Sequence, residues 1–170
     1  MPTREDEIKM TIAEMREYLA GLKKEHPYIL GLLLHGSRLN ENKTPGENSD
    51  VDSVFILEEG NPTDSDSEAG RRLVEEIVAF TEKHKTASGF AVGANDFYTV
   101  SEFLAELKSR EIPKNLRGKL IWGSNPAAFK YIGGVLNQLP EDEVNEFLKK
   151  EFASPEMAAF KKEIAAKQRL

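Results

Sequence analysis

Hydrophobic positions along this chain switch between two periods. Ile8, Ile12, Met15, Leu19 and Leu22 recur every three or four residues, the spacing of one face of an α-helix. Thr3 and Asp6 precede that stripe as a capping box with Asp in place of the usual Glu or Gln, and His26-Pro27 follows it. The spacing therefore predicts a helix over 5–25. Two short apolar runs come next. Residues 29–34 are apolar and end at Gly36-Ser37, and residues 50–57 open with Asp50-Val51-Asp52 and continue apolar. Both read as buried strands, because each is short and bounded by turn residues. In the second run, Val54 and Ile56 continue the aspartate face while Val51, Phe55 and Leu57 line the other. Apolar residues on both faces predict a central strand covered on each side.

Beyond the strands the helical period returns. Leu73, Val74, Ile77, Val78 and Phe80 give a second amphipathic helix to about residue 83, with Ser67 or Asp66 as its cap. Residues 86–98 read as extended, and Gly93-Ala94 signals a bulge or a break into two short strands. Thr99 and Glu102 form a capping box for a helix through Leu107, and residues 119–122 read as a short edge strand. From Pro126 onward the pattern is helical throughout: Phe129, Ile132, Leu136 and Leu139 make one stripe, Pro140 opens the next helix, and Pro155 opens a last one with a basic end. The expected organisation is an α/β domain over 1–125 and a helical C-terminal extension over 126–170.

Composition narrows the class. The chain has 170 residues, no cysteine and a net charge of −6. That leaves no disulfide framework and no thiolate metal site, and it disfavours a broad nucleic-acid surface. The acidic N-terminus lacks the apolar stretch of a signal peptide, and no apolar run approaches transmembrane length, so a cytoplasmic location without membrane association is expected.

The candidate chemistry lies between residues 36 and 96. Asp50 and Asp52 share a strand face, where two neighbouring carboxylates repel. A divalent cation between them relieves that repulsion, and oxygen-only ligands favour magnesium. Gly36-Ser37 reads either as an ordinary strand-ending turn or as a place where backbone N–H groups meet an anion. Arg38 reads as a surface arginine or a phosphate contact, and Asp96 as a turn aspartate or a third carboxylate. Asp64 and Asp66 read as part of a solvated loop.

Taken together, Leu32-Leu33-Leu34-His35-Gly36-Ser37-Arg38, Ser49-Asp50-Val51-Asp52 and Asn95-Asp96-Phe97-Tyr98 resemble the DNA polymerase β-like nucleotidyltransferase superfamily. The nearest likeness is to its minimal nucleotidyltransferase branch, which includes antitoxins paired with helical toxins. His35 stands where that family usually has an aromatic or apolar residue. The resemblance covers about residues 29–122 and implies a small mixed sheet flanked by helices. It implies transfer of a nucleoside monophosphate from an NTP, with ATP expected, to a hydroxyl of a small-molecule or protein acceptor. In that scheme Asp50, Asp52 and Asp96 are the metal-binding and catalytic residues for two magnesium ions about 3.5–4 Å apart. Gly36, Ser37 and Arg38 are the substrate-binding residues, and Asp96 accepts the proton of the attacking hydroxyl. The alternative implied by the same likeness is a catalytically inactive domain that binds a nucleotide or a toxin-like partner.

Overall fold

The computed structural model describes residues 2–41, 44–64, 66–108, 130–133 and 140–153, with scattered positions between 155 and 166. Its described elements run α1 (Arg4–Glu25), β1 (Ile29–His35), a 3-10 turn (Ser37–Leu39), β2 (Val51–Leu57), α2 (Glu68–Lys83), β3 (Val92–Thr99), α3 (Val100–Lys108), β4 (Lys130–Gly133) and α4 (Glu141–Ala153). The strands form one mixed sheet in the order β3-β2-β1-β4. β1 is antiparallel to both neighbours, while β2 and β3 run parallel and are joined through α2. This is an α/β fold with the small mixed sheet between helices that the family resemblance implies.

The local signals act as expected. Thr3 and Asp6 satisfy each other's backbone N–H groups at the start of α1, and the Ser67 hydroxyl accepts from the Gly70 N–H at the start of α2. At α3, Thr99 and Glu102 exchange the bonds of a capping box, at 3.4 and 3.3 Å. Alternation along each strand then divides the core into two layers. Ile29, Leu32, Leu34, Val51, Phe55 and Leu57 face α1 and α2, where Met15, Leu19, Leu22, Leu73, Ile77 and Phe80 cover them. Leu30, Leu33, Val54, Ile56 and Tyr98 face Val100 and Phe103 of α3 and Val144 and Leu148 of α4. Both β1 and β2 are interior strands buried on both faces, which explains why they are apolar nearly throughout.

The region after Pro126 corrects the sequence reading in one respect. It is not purely helical: Lys130–Gly133 is a strand, and it pairs with β1. Ile132 therefore lies in the layer under α1 and α2, and Tyr131 in the opposite one. A four-residue strand flanked by apolar residues has no period long enough to betray it, and Phe129, Ile132 and Leu136 imitate a helical stripe. A division at 125/126 consequently cuts the sheet, and β4 and α4 belong to the same core as β1. The expected strand at 119–122 and most of the last helix lie outside the described residues.

Two contacts explain how β4 is held. Gly31 sits opposite Gly133, and a Cβ at Gly31 would meet the Tyr131 hydroxyl oxygen at 2.4 Å. The glycine in the middle of an apolar strand is thus the space that the Tyr131 ring fills. On the outer edge, the Asn145 side chain of α4 accepts from the Tyr131 N–H at 3.0 Å and donates to the Tyr131 carbonyl at 2.9 Å. One amide side chain does there what a further strand would do, so the edge is covered. Glu141, at the first position of α4, binds Arg16 of α1 in a two-pronged ion pair, with Nη1 to Oε2 at 2.7 Å and Nη2 to Oε1 as the second prong. It also accepts from the Gly133 N–H at 3.3 Å. The Arg16 guanidinium holds the Glu141 carboxyl below its ordinary range, helped by the Gly133 bond and by Lys130, against a smaller opposing effect of burial.

Two predictions follow from β4 and its clasp. A chain ending at residue 125 exposes the β1 edge together with Leu30 and Leu33, so it should be insoluble or lack the far-ultraviolet circular dichroism of the full chain. A soluble, folded fragment would show that the sheet is complete without β4. The second concerns pH. Because the folded-state pKa of Glu141 is depressed, its ion pair contributes stability above about pH 4.3, the ordinary glutamate value, and loses it as pH falls through the folded value. Urea titrations should show the full chain more stable than Glu141→Gln by on the order of 1 kcal/mol at pH 7, with the gap closing towards pH 3.

Candidate active site at the start of the second strand

β1 and β2 are antiparallel, so the end of one lies beside the start of the other. The last pair in their register is His35 with Asp52. The chain then turns out of β1 at Gly36, whose φ of 105° and ψ of −176° fall in a region open essentially to glycine alone. A Cβ at this position would stand 2.6 Å from Oδ2 of Asp52. The Asp52 carboxylate therefore leans towards β1 and lies against the Gly36 backbone. Motifs that are well separated in sequence form one surface here, and a side chain at position 36 would have to displace the carboxylate.

Asp96 reaches the same face by an irregularity in β3. Asp52 pairs with Gly93, Ser53 with Ala94, and Val54 with Asp96, so Asn95 is an extra residue on β3. Regular alternation from Gly93 would send Asp96 to the opposite face. The bulge resets the alternation, bringing Asp96 and Tyr98 to the side of Asp52, Val54 and Ile56, and turning Phe97 to the other layer against Phe55, ring centres 5.2 Å apart. Gly93 beside Asp52 carries no side chain, so no side chain intervenes between Asp52 and Asp96 at that pair. His35, buried on the β1 side, completes the row.

The remaining candidates take different positions. β2 starts at Val51, so Asp50 stands ahead of the strand, and it is exposed whereas Asp52 is partly buried. Ser37 opens the 3-10 turn, which is closed by bonds from the Leu39 N–H to the Gly36 carbonyl at 3.1 Å and from the Asn40 N–H to the Ser37 carbonyl at 3.3 Å. Arg38 is only partly exposed. Its Nε donates to the Ser49 carbonyl at 2.6 Å, and its guanidinium lies over the Phe90 ring at 4.5 Å. It ties the turn to the residue before Asp50. Ser49 in turn closes back on Gly46 by two hydrogen bonds, forming a turn through Glu47 and Asn48. Asp64 and Asp66 are exposed loop residues, as read from sequence.

Arg4 is the residue that the sequence does not single out. Its Nη2 donates to the carbonyls of Ser37 at 2.7 Å and Asn40 at 3.2 Å, and its Nη1 pairs with Glu7 at 3.1 Å. A bond spanning 33 residues leaves no local signal.

The donor set suits a hard cation in part. Among the described residues, no group of three or more His, Asp or Glu side chains is arranged to hold a metal ion. Magnesium is commonly held by one or two carboxylates and completed by water and substrate phosphates, and Asp52 and Asp96 lie on one face of adjacent strands. No helix among the described residues is long and apolar enough to cross a membrane.

The Gly36 contact is testable by a double-mutant cycle. Gly36→Ala should destabilise the chain by about 1–3 kcal/mol from backbone strain alone, with an added cost from the displaced carboxylate. In an Asp52→Ala background that added cost should vanish, so the two substitutions should couple in urea denaturation. Strict additivity would mean that the carboxylate does not press on the glycine.

Comparison with protein-family models, with curated proteins and with solved structures finds no match to this chain.

Proposed function

We propose that the chain is a magnesium-dependent nucleotidyltransferase, which moves a nucleoside monophosphate from an NTP to a hydroxyl of a small-molecule or protein acceptor. The observation that carries this reading is the contact of Asp52 with Gly36. It joins a glycine-serine turn, suited to a phosphate chain, to a carboxylate suited to the cation that accompanies it. The bulge at Asn95 supports it further by turning Asp96 to the same face.

In this reading Asp52 and Asp96 would hold magnesium, and Asp50, exposed ahead of β2, would have to move to join them. The metal, when bound, neutralises charge on the phosphates and on the leaving group. The Gly36-Ser37 turn receives the triphosphate through backbone N–H groups and the Ser37 hydroxyl. The acceptor hydroxyl oxygen forms a bond to the α-phosphorus as the bond from that phosphorus to the bridging oxygen breaks, and pyrophosphate departs. The acceptor proton passes to the Asp96 carboxylate or to water. ATP is the expected donor. Arg38, held by Ser49 and Phe90, keeps the turn and the carboxylate segment together.

A second reading, a nucleotide- or partner-binding domain without activity, is favoured by the missing three-ligand cluster among the described residues. Incubating the chain with radiolabelled ATP, magnesium and a cell extract separates the two. Transfer of label to an acceptor, lost in Asp52→Asn and reduced at least about a hundredfold in Asp96→Asn, is expected. Nucleotide binding without transfer supports the second reading, and transfer that survives both substitutions overturns the site.

A further inference from the structure

We infer that Arg4 is a positioning residue for the Gly36-Ser37 turn: the start of the first helix holds the turn in the orientation in which it meets the substrate phosphates. This rests on the transferase reading above and deepens it. The Ser37 carbonyl and the Arg38 N–H belong to one peptide plane and point in opposite directions. Arg4 Nη2 grips that carbonyl at 2.7 Å, and the Asn40 carbonyl at 3.2 Å, so the Arg38 N–H is directed away from α1. The Ser37 oxygen accepts from both Arg4 and the Asn40 N–H, using its two lone pairs. Glu7, one helical turn along, orients the guanidinium from behind through its 3.1 Å pair.

A second guanidinium continues the same line. Arg38, inside the turn, reaches forward to the Ser49 carbonyl at 2.6 Å, the residue ahead of Asp50. Helix α1, the turn and the segment leading into β2 are thereby linked by two arginines bonded to backbone carbonyls. Neither bond is a charge pair that salt would screen away, and the planar guanidinium of Arg4 serves both carbonyls through Nη2 while Nη1 stays fixed on Glu7. Gly36 leaves its backbone free to take many conformations, and α1 supplies an outside hold on the turn that follows it. The loss of Arg4 should therefore loosen the turn without disturbing the sheet, whose core does not include it.

The test uses the full chain and compares Arg4→Ala and Arg4→Lys with the wild type. Amide hydrogen exchange at Leu39 and Asn40 should accelerate about tenfold in Arg4→Ala, while exchange in β1 and β2 and the melting temperature stay near wild type. Affinity for magnesium ATP, measured by calorimetric titration, should weaken by about tenfold in Arg4→Ala and less in Arg4→Lys. A cleft of about 200 Å³ lined by Arg4, Arg38, Pro45 and Phe90 gives a small cation access, so ethylguanidinium should restore affinity to Arg4→Ala. Unchanged exchange at Leu39 and Asn40 overturns the inference whatever the wild type binds. So does equal ATP affinity in a wild type that binds it. A wild type that binds no magnesium ATP, with exchange accelerated as expected, overturns the transferase reading and leaves the hold of Arg4 on the turn standing.

Discussion

Burial of β1 and β2 on both faces governs most of what this molecule does. A slip of one residue between these strands would send each side chain to the other layer, so packing against α1 and α2 on one side and α3 and α4 on the other selects the register. That register sets His35 opposite Asp52, and it therefore brings the end of β1 against the start of β2. The chain must leave β1 at once to avoid the carboxylate. Gly36 makes that exit in a conformation other residues avoid, and the Asp52 oxygen occupies the space that its side chain would need. The candidate site is thus a by-product of core packing: the apolar residues choose the register, and the register places the polar ones.

A second constraint acts through β3. One added residue at Asn95 decides which layer receives Asp96 and which receives Phe97. The bulge satisfies both, since Phe97 stacks beside Phe55 while Asp96 joins the face of Asp52. A carboxylate sent to the layer of α1 and α2 would instead be buried among apolar side chains, at a cost of several kcal/mol. The irregularity is therefore favoured by packing as well as by any chemistry on the other face. Hydrogen bonds from Arg4 and Arg38 to backbone carbonyls then hold the intervening loop, where little apolar burial is available to do so.

The far edge of the sheet follows the same logic at lower cost. β4 is short, and its four residues alone could not stay paired. Tyr131 settling over Gly31, the Asn145 amide bonding its outer edge, and Glu141 gripping Arg16 hold it from three sides. A region that reads as an appendage is thereby part of the core, and the N-terminal and C-terminal helices are coupled across β4.

Much of this was legible in the sequence. The caps at Thr3, Ser67 and Thr99, the two-faced burial of β2 and an irregularity near Gly93 are local or periodic features, and short-range physics suffices for them. Gly36, Ser37, Arg38, Asp50, Asp52 and Asp96 could be nominated from their residue types and their order along the chain. Their relative placement could not, since it depends on strand register and on one extra residue in β3. The strand at β4 was hidden because four residues are fewer than either period needs to declare itself. Arg4 was hidden because its acceptors are backbone carbonyls, which every residue possesses and no sequence advertises. The sequence by itself determined most of the elements, the layers they bury and which residues were candidates for chemistry. Tertiary structure alone decided which of those residues meet, because that follows from pairing across long separations, where the free energy is shared over the whole core.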